Sequence, residues 1–243
     1  MGSGWRGEQL NEFRVYEDAA GLATAAAENF VVLAREAIAA RGRFLVALAG
    51  GSTPRAAYEL LATEPFAASV DWTRVHLFWG DERCVPPDHP DSNYRMARET
   101  LLDRVQIPAA NVHRMRCELA PQQAAAAYER ELEKALGEDG RFDLILLGLG
   151  TDGHTASLFP GAAALGERER RVLAVYVEKL KAWRVTLTLP VINTARHVIF
   201  LVSGTSKAET LARVRASEPL PAGLVQPVAG RLLWLLDKDA NGA

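Results

Sequence analysis

Short apolar runs alternate with amphipathic stretches along most of this 243-residue chain. The continuous apolar runs are typical of strands covered on both faces, and they predict strands over residues 44–49, 75–79, 112–115, 142–147, 172–177, 184–189 and 197–202. Residues 234–237 are expected to form a short terminal strand or a turn. Apolar positions at helical spacing predict helices over residues 19–40, 54–61, 92–102, 122–136 and 206–214. The alternation predicts an α/β fold: a doubly wound, mostly parallel sheet flanked by helices, as in a Rossmann-like αβα sandwich.

A single domain over residues 1–243 is expected, because the chain holds no internal repeat and its Pro/Gly-rich stretch 218–223 is too short to separate domains. Residues 1–10 lack the apolar core of a signal peptide and are expected to be disordered or left over from cloning. No apolar run approaches the ~20 residues needed to span a bilayer. We therefore expect a soluble, cytoplasmic protein, and a monomer with a dimer as the alternative.

Composition gives no indication of a nucleic-acid or membrane partner. The formal net charge is −2 and the pI about 6.2, although local basic clusters can still bind a small anion. Cys84 and Cys117 form no C-x-x-C pair, which fits a reducing compartment and predicts no disulfide. The histidines form no H-x-H or H-E-x-x-H pattern, so no metal site is predicted.

The richest segment for chemistry is the predicted strand 142–147 and the glycine-rich loop that follows it. Glycines in this loop allow a sharp turn and present Asp152 and His154 just past the strand's carboxyl end, where ligands bind in open α/β sheets. A histidine beside a carboxylate at that place is a candidate for proton transfer near neutral pH. The alternative is a histidine with a structural role.

A second glycine loop, at residues 49–54, predicts a site for an anion. Gly50 and Gly51 follow a strand, and Thr53 and Pro54 are typical of a helix N-cap and its first residue. Free amides of Gly50, Gly51, Ser52 and Thr53, supported by the helix dipole, would bind a phosphate. The alternative is an ordinary strand-to-helix turn. The loop lacks the G-x-x-x-x-G-K-[ST] pattern, which argues against a nucleoside triphosphate.

Two further strand ends carry candidate side chains. Arg83, with Asp81, ends a hydrophobic strand and could hold a substrate oxygen, although such a charged group is more often a solvated loop. Ser206 and Glu209 fit a capping box that places Lys207 in the first turn of a helix. A cation there opposes the helix dipole by ~0.3–1 kcal/mol, and a bound phosphate would compensate. The alternative is a lysine that extends into water.

Five motifs, in register from about residue 44 to 208, resemble those of the 6-phosphogluconolactonase family: A49-G-G-S-T-P54, W79-G-D-E-R-C-V85 with D91-S-N-Y-R-M96, L147-G-L-G-T-D-G-H-T-A-S-L-F159, R184-V-T-L-T-L-P-V-I-N193 and S203-G-T-S-K-A208. The resemblance implies hydrolysis of 6-phosphoglucono-δ-lactone to 6-phosphogluconate, the second step of the oxidative pentose phosphate pathway. It implies a phosphorylated sugar lactone as the partner, and neither a metal nor an organic cofactor.

The resemblance also implies roles for single residues. His154 is expected to transfer the proton, and Asp152 to orient the imidazole or favour its protonated form. Whether His154 first takes a proton from water or mainly gives one to the ring oxygen stays open, since one residue can do both in succession. Arg83 is expected to contact the carbonyl oxygen or sugar hydroxyls. Asp81 is expected to bind a hydroxyl or to serve as an alternative base.

For the phosphate, the resemblance implies a site on the Gly50–Thr53 backbone, with charge from Lys207 and Arg184. The alternative for Arg184 is a surface arginine at a strand end. Asn93 and Arg95 belong to one of the motifs, and structural support of the Arg83 loop is their expected role.

Three functions are alternatives to the lactonase: a sugar-phosphate isomerase or deaminase, a non-catalytic sugar-phosphate sensor and a metal-dependent hydrolase. The related glucosamine-6-phosphate deaminases carry a catalytic glutamate five positions after the histidine of their D-G-H segment, where this chain has Phe159, which cannot transfer a proton. A non-catalytic sugar-phosphate sensor would normally carry an N-terminal helix-turn-helix, and about 18 residues before the first predicted helix are too few for one. A metal-dependent hydrolase would lose activity on chelation.

Overall fold

A computed structural model describes residues 11–242, so the prediction for residues 1–10 lies outside the described part of the chain. Six parallel strands form the main sheet in the order β1-β9-β8-β5-β2-β3. Their bounds are β1 Asn11–Tyr16, β2 Phe44–Leu48, β3 Val75–Trp79, β5 Leu144–Gly148, β8 His197–Val202 and β9 Arg231–Asp237. The predicted α/β fold with a mostly parallel sheet is confirmed.

Helices flank this sheet as the alternating pattern predicts. They are α1 Ala19–Arg41, α2 Ser52–Leu61, α3 Asn93–Thr100, α4 Pro121–Leu136, α5 Leu189–Thr194, α6 Ala208–Arg215 and α7 Lys238–Asn241. Every residue of β2 is buried, and β5 and β8 are buried along nearly their whole length. Apart from Gly148 at the end of β5 and His197 at the start of β8, these strands are apolar because layers cover both of their faces.

A second, smaller sheet stands apart from the parallel one, and the sequence pattern did not separate it. It is antiparallel, in the order β4-β7-β6, with bounds β4 Asp81–Arg83, β6 Val172–Val177 and β7 Ala182–Leu187. The alternative of a solvated loop at residues 81–83 is wrong, because these residues pair with β7, and Asp81 and Glu82 are buried.

Other differences from the predicted elements lie at the margins of the main sheet. The segment 112–115 forms only one bridge, between Val112 and Leu77, instead of a strand. The edge strand β1 was not predicted, since its polar residues alternate with apolar ones over only six positions. Phe13 of β1 stacks on Trp234 at 5.6 Å between ring centroids, which covers the buried face of this edge. Within residues 11–242, no helix has the length and apolar character needed to cross a membrane.

The two cysteines are distant in sequence but adjacent in the fold. The thiol of Cys84 lies close enough to act on that of Cys117, and this neighbour together with burial raises the pKa of Cys117. Neither cysteine is in a disulfide.

Candidate active site

A cavity of about 220 Å³ lies at the carboxyl ends of β2, β3 and β5, with the small antiparallel sheet on its other side. Loops at these strand ends and residues of β4 and β7 together form its wall. Seven of the sequence-predicted residues line it: Gly50, Gly51, Asp81, Arg83, His154, Arg184 and Lys207. Three do not: Asp152, which contacts His154, and Ser52 and Thr53, which begin α2.

His154 and Asp152 form the hydrogen-bonded pair that their spacing suggested. The imidazole Nδ1 lies 2.5 Å from Asp152 Oδ1, and the backbone amide of His154 donates to the same oxygen at 3.1 Å. Burial acts to raise the pKa of the Asp152 carboxyl, but hydrogen bonds from Lys179 and His154 outweigh burial and hold this pKa well below its usual range. An ionised carboxylate only accepts hydrogen bonds, so Nδ1 carries a proton and Nε2 is the nitrogen left for chemistry.

Gly150 allows the imidazole to lie flat against the loop backbone. A Cβ atom at this position would stand 2.0 Å from His154 Nδ1 and 2.2 Å from Cε1, closer than any side chain tolerates. The Gly150 amide also donates to the His154 carbonyl at 2.8 Å, which closes the loop. Gly153 has a φ of +85°, a left-handed conformation that favours glycine. The loop therefore needs glycine at position 150 to make room for the imidazole and favours glycine at position 153 because of its backbone conformation.

Phe159 covers one face of the catalytic candidate. Its ring stacks on the imidazole of His154 at 4.3 Å between centroids, with 27° between the planes. The side chain is buried, so it excludes water from that face. Position 159 therefore contributes an apolar wall and no proton donor or acceptor.

Glu82 fixes the strand that carries Arg83. The sequence pattern did not identify Glu82 as part of the site. Its buried carboxylate accepts hydrogen bonds from the amides of Asn93 and Tyr94, each at 2.8 Å, and from the Ser92 hydroxyl at 3.1 Å. These groups lie at the N-terminus of α3, where backbone amides lack helical partners and favour negative charge. The partners follow about ten residues later in the chain, so no local pattern could have shown the contact.

Asp81 is held on both of its carboxylate oxygens. Oδ2 accepts a hydrogen bond from the Ser157 hydroxyl at 2.6 Å, and Oδ1 accepts a longer one from Asn93 Nδ2 at 3.3 Å. A Cβ atom on Gly50 would stand 2.0 Å from the side-chain oxygen Oδ1 of Asn93, so position 50 needs a glycine. Asn93 thus ties the 49–54 loop to β4, consistent with the structural support expected of it.

Arg83 and Arg184 face each other as cross-strand neighbours of β4 and β7. Like charges placed directly opposite each other destabilise a sheet. Burial lowers the pKa of Arg184, partly offset by Asp81, whose Oδ2 lies 3.9 Å from Arg184 Nη1. Within the described chain, the buried Nε atoms of both arginines have no hydrogen-bond partner. An anion in the cavity would supply the missing charge and acceptors.

The start of α2 differs from the predicted one. The helix begins at Ser52 with Gly51 as its N-cap, so the prediction of Thr53 as N-cap and Pro54 as first residue is wrong. Gly51 has a φ of +109°, which brings the chain into the helix two residues earlier. No side chain caps this helix among the residues described, which leaves its first amides free for a ligand.

Lys207 reaches the cavity by a different local structure from the predicted capping box. Residues Thr205–Lys207 form a 3₁₀ turn, and Lys207 itself is the N-cap residue of α6. The prediction that Ser206 and Glu209 form a capping box is therefore wrong. The turn is anchored by Asp237 at the end of β9, whose carboxylate accepts hydrogen bonds from the Gly204 amide at 3.1 Å and the Ser203 hydroxyl at 2.5 Å.

Among residues 11–242, no group of three or more histidine, cysteine, aspartate or glutamate side chains is placed to hold a metal ion. The cavity wall instead combines the His154 imidazole, which is hydrogen-bonded to Asp152, with the Asp81 carboxylate and three cationic side chains, those of Arg83, Arg184 and Lys207. This set can transfer protons and bind anionic oxygens.

A family profile and individual relatives of known name both assign the chain to the same family. Residues 17–234 match the profile of the family described as glucosamine-6-phosphate isomerases/6-phosphogluconolactonase. A 6-phosphogluconolactonase from Synechocystis is 49% identical over 215 residues, which cover 85% of this chain and 87% of that protein.

Solved structures resemble the fold closely. The crystal structure of a 6-phosphogluconolactonase from Thermotoga maritima is 35% identical, covers 93% of this chain and 99% of its own, and superposes with a TM-score of 0.83. A monomeric glucosamine-6-phosphate deaminase has a TM-score of 0.82 at 18% identity, with 95% of this chain and 99% of its own covered. That second likeness concerns the fold alone.

Proposed function

Because the chain belongs to the glucosamine-6-phosphate isomerase/6-phosphogluconolactonase family, we propose that it hydrolyses 6-phosphoglucono-δ-lactone to 6-phosphogluconate in the oxidative pentose phosphate pathway. One observation carries the proposal: an imidazole–carboxylate pair and the cations Arg83, Arg184 and Lys207 meet at one cavity. Lactone hydrolysis needs an activated water, a place for the oxyanion and a proton for the leaving ring oxygen.

In this mechanism His154 Nε2 takes a proton from the attacking water while the water oxygen bonds to the lactone carbonyl carbon. The carbonyl oxygen becomes an oxyanion, which Arg83 stabilises. When the bond from that carbon to the ring oxygen breaks, the imidazolium returns the proton to the ring oxygen. Asp152, kept ionised, holds the Nδ1–H and stabilises the charged imidazole between the two steps.

The phosphate is proposed to lie on the Gly50–Thr53 backbone, with Lys207 and Arg184 at its sides. Support comes from the uncapped start of α2 and from the unpaired Nε atom of Arg184 among the described residues. Asp81 is better placed to orient Ser157 and Arg184 than to act as a second base, because both of its oxygens already accept hydrogen bonds.

Phe159 favours the lactonase over a deaminase. Ring opening by a deaminase needs a proton-transferring carboxylate near the D-G-H histidine, and this chain places a phenyl ring against that imidazole. A non-catalytic sensor is less favoured, since an ionised aspartate that orients a histidine in a cavity is an arrangement for proton transfer.

A coupled assay tests the activity directly. Glucose-6-phosphate dehydrogenase generates the lactone, and its decay is followed with and without the protein after subtraction of spontaneous hydrolysis. We expect faster decay that chelators leave unchanged, and no ammonia from glucosamine 6-phosphate. Decay at the spontaneous rate would contradict the proposal.

The phosphate site predicts strong selectivity between two lactones. Unphosphorylated glucono-δ-lactone is expected to have a kcat/KM lower by about 10²-fold or more, because hydrogen bonds to charged groups contribute ~1.5–3 kcal/mol each. Both substrates can be compared in one pH-stat assay. Equal efficiency for the two lactones would remove the argument for a phosphate site.

Arg184→Met is expected to weaken substrate binding while leaving the unliganded protein as stable or more stable. The change removes one of two half-buried, opposed cations, whose repulsion and partial desolvation oppose folding without a ligand. KM should rise by about tenfold or more, as one charge-assisted contact is lost, and thermal unfolding without ligand should show no loss. Arg74→Met, at an exposed position away from the cavity, is the matched control. An unchanged KM would exclude Arg184 from the phosphate site.

The remaining expectations stay proposals. We propose a cytoplasmic enzyme that forms one domain over residues 1–243 and acts on a small molecule, with neither nucleic acid nor membrane as a partner. Support comes from a net charge of −2 and from two cysteines that form no disulfide. A monomer remains the expected state and a dimer the alternative.

A further inference from the structure

Lys179 lies outside the motifs that indicated the site, yet it contacts the catalytic pair. It belongs to the 3₁₀ turn Glu178–Leu180 that joins β6 to β7. Its ammonium forms an ion pair with Asp152 Oδ2, the carboxylate oxygen that His154 Nδ1 does not use. Asp152 therefore bridges a cation of the small sheet's hairpin and the imidazole of the main sheet's loop.

A second contact links Lys179 to the same imidazole indirectly, through the ring of Phe159. Its Nζ lies 4.7 Å from the centroid of the Phe159 ring, and this ring stacks on His154 at 4.3 Å. The four side chains of Lys179, Asp152, His154 and Phe159 form a closed ring of contacts, which we call the imidazole clamp. An incidental surface lysine would not be expected to contact both neighbours of the catalytic candidate.

We propose that Lys179 is a positioning residue that sets the charge Asp152 presents to His154 and holds the imidazole clamp closed. The inference rests on the proposed function, because it assigns Lys179 a part in the proton transfer by His154. Lys179 does not line the cavity, and its contacts with the site are those to Asp152 and Phe159, so we expect it to act through these two residues.

The direction of its effect follows from electrostatics. With Lys179 present, the negative charge of Asp152 is shared between an ammonium and the imidazole. Without Lys179, the whole charge acts on His154 and favours the imidazolium. The other charged groups on the cavity wall are Asp81, Arg83, Arg184 and Lys207, and the turn also carries the exposed Glu178. None of these changes when Lys179 is replaced.

A purely structural role predicts a different result. The Lys179 side chain is half exposed, at 52%, and exposed ion pairs add at most about 1 kcal/mol to stability. A structural lysine would change the melting temperature slightly and leave the titration of His154 where it was. The titration of the imidazole therefore separates the two roles.

The test follows the ¹H–¹³C signal of the His154 imidazole by NMR from pH 5 to 9, with the signal assigned from the spectrum of His154→Gln. In Lys179→Met we expect the transition to move to higher pH than in the wild type, because Asp152 then interacts with the imidazole alone. Lys179→Arg should restore the wild-type transition. Lys181→Met is the matched control, because Lys181 is exposed in the same hairpin and has no ion pair among the described residues.

Kinetics with the phosphorylated lactone complete the experiment. For Lys179→Met we expect kcat to fall about tenfold and the pH–rate limb of the imidazole to move with the NMR transition, while KM changes little. Equal NMR shifts in the Lys179 and Lys181 variants, or no shift in either, would overturn the proposal. Lys179→Gln replaces Lys179→Met if the latter fails to fold. The NMR result needs no turnover, so a protein without lactonase activity would still show whether the clamp exists.

Discussion

His154→Gln is expected to lower kcat for 6-phosphoglucono-δ-lactone by about 10²–10⁴-fold, the range typical of a lost general acid–base residue. Glutamine can still donate a hydrogen bond to Asp152 but cannot take and return a proton. KM should change little, because His154 is proposed to act on the reacting atoms and the phosphate is held elsewhere. The measurement is the initial rate of lactone decay in the coupled assay.

Two controls make this result specific. The melting temperature of His154→Gln should stay close to that of the wild type, since the imidazole is partly exposed and replaced by a polar side chain. His76→Gln removes another partly buried imidazole, which lies on β3, pairs with His113 and does not line the cavity. We expect near-normal turnover from it. Turnover of His154→Gln within threefold of the wild type would refute the role of His154.

Gly150→Ala is expected to lower kcat by about 10²-fold or more through geometry alone, since a misplacement of about 1 Å can cost that much. The added methyl would stand 2.0 Å from His154 Nδ1, so the ring must leave its position beside Asp152. No charge and no functional group is removed. The steady-state rate and the NMR signal of His154 should both change, since the hydrogen bond between Nδ1 and Asp152 is lost.

The matched control for this variant is Gly166→Ala. A methyl at Gly166 meets no atom within 4 Å, and this residue lies outside the cavity. Its kcat and His154 signal should match those of the wild type. If Gly150→Ala also kept normal kcat, the close packing of the imidazole on the loop backbone would have no part in catalysis.

Much of the architecture follows from local pattern. The runs that became β2, β5 and β8 are apolar apart from Asp143 before β5 and His197 at the start of β8, and a strand covered on both faces admits little else. The glycine loop after β5 places Asp152 and His154 two residues apart, so their hydrogen bond is a local matter that the sequence already contains. Loops after parallel strands meet at one edge of a sheet, which explains why the predicted residues of three loops share one cavity.

Helix starts were less predictable. Thr53 followed by Pro54 is a good statistical start for a helix, but Gly51 can adopt a φ of +109° and lets α2 begin at Ser52. Ser206 and Glu209 form no capping box, because residues Thr205–Lys207 form a 3₁₀ turn that Asp237 at the end of β9 anchors through the Gly204 amide. In both places backbone conformation or a distant carboxylate outweighed the local side-chain preference.

By itself, then, the sequence determined the parallel sheet, the glycine loops, the imidazole–carboxylate pair and the family. Only the tertiary structure decided that Arg83 opposes Arg184, that Glu82 accepts hydrogen bonds from the first amides of α3 and that Lys179 reaches Asp152. Periodicity and spacing report on burial and on contacts within a few residues, because helices and strands repeat over that distance. Pairing between strands and charges far apart in the chain depends on how whole elements pack, which no local pattern encodes.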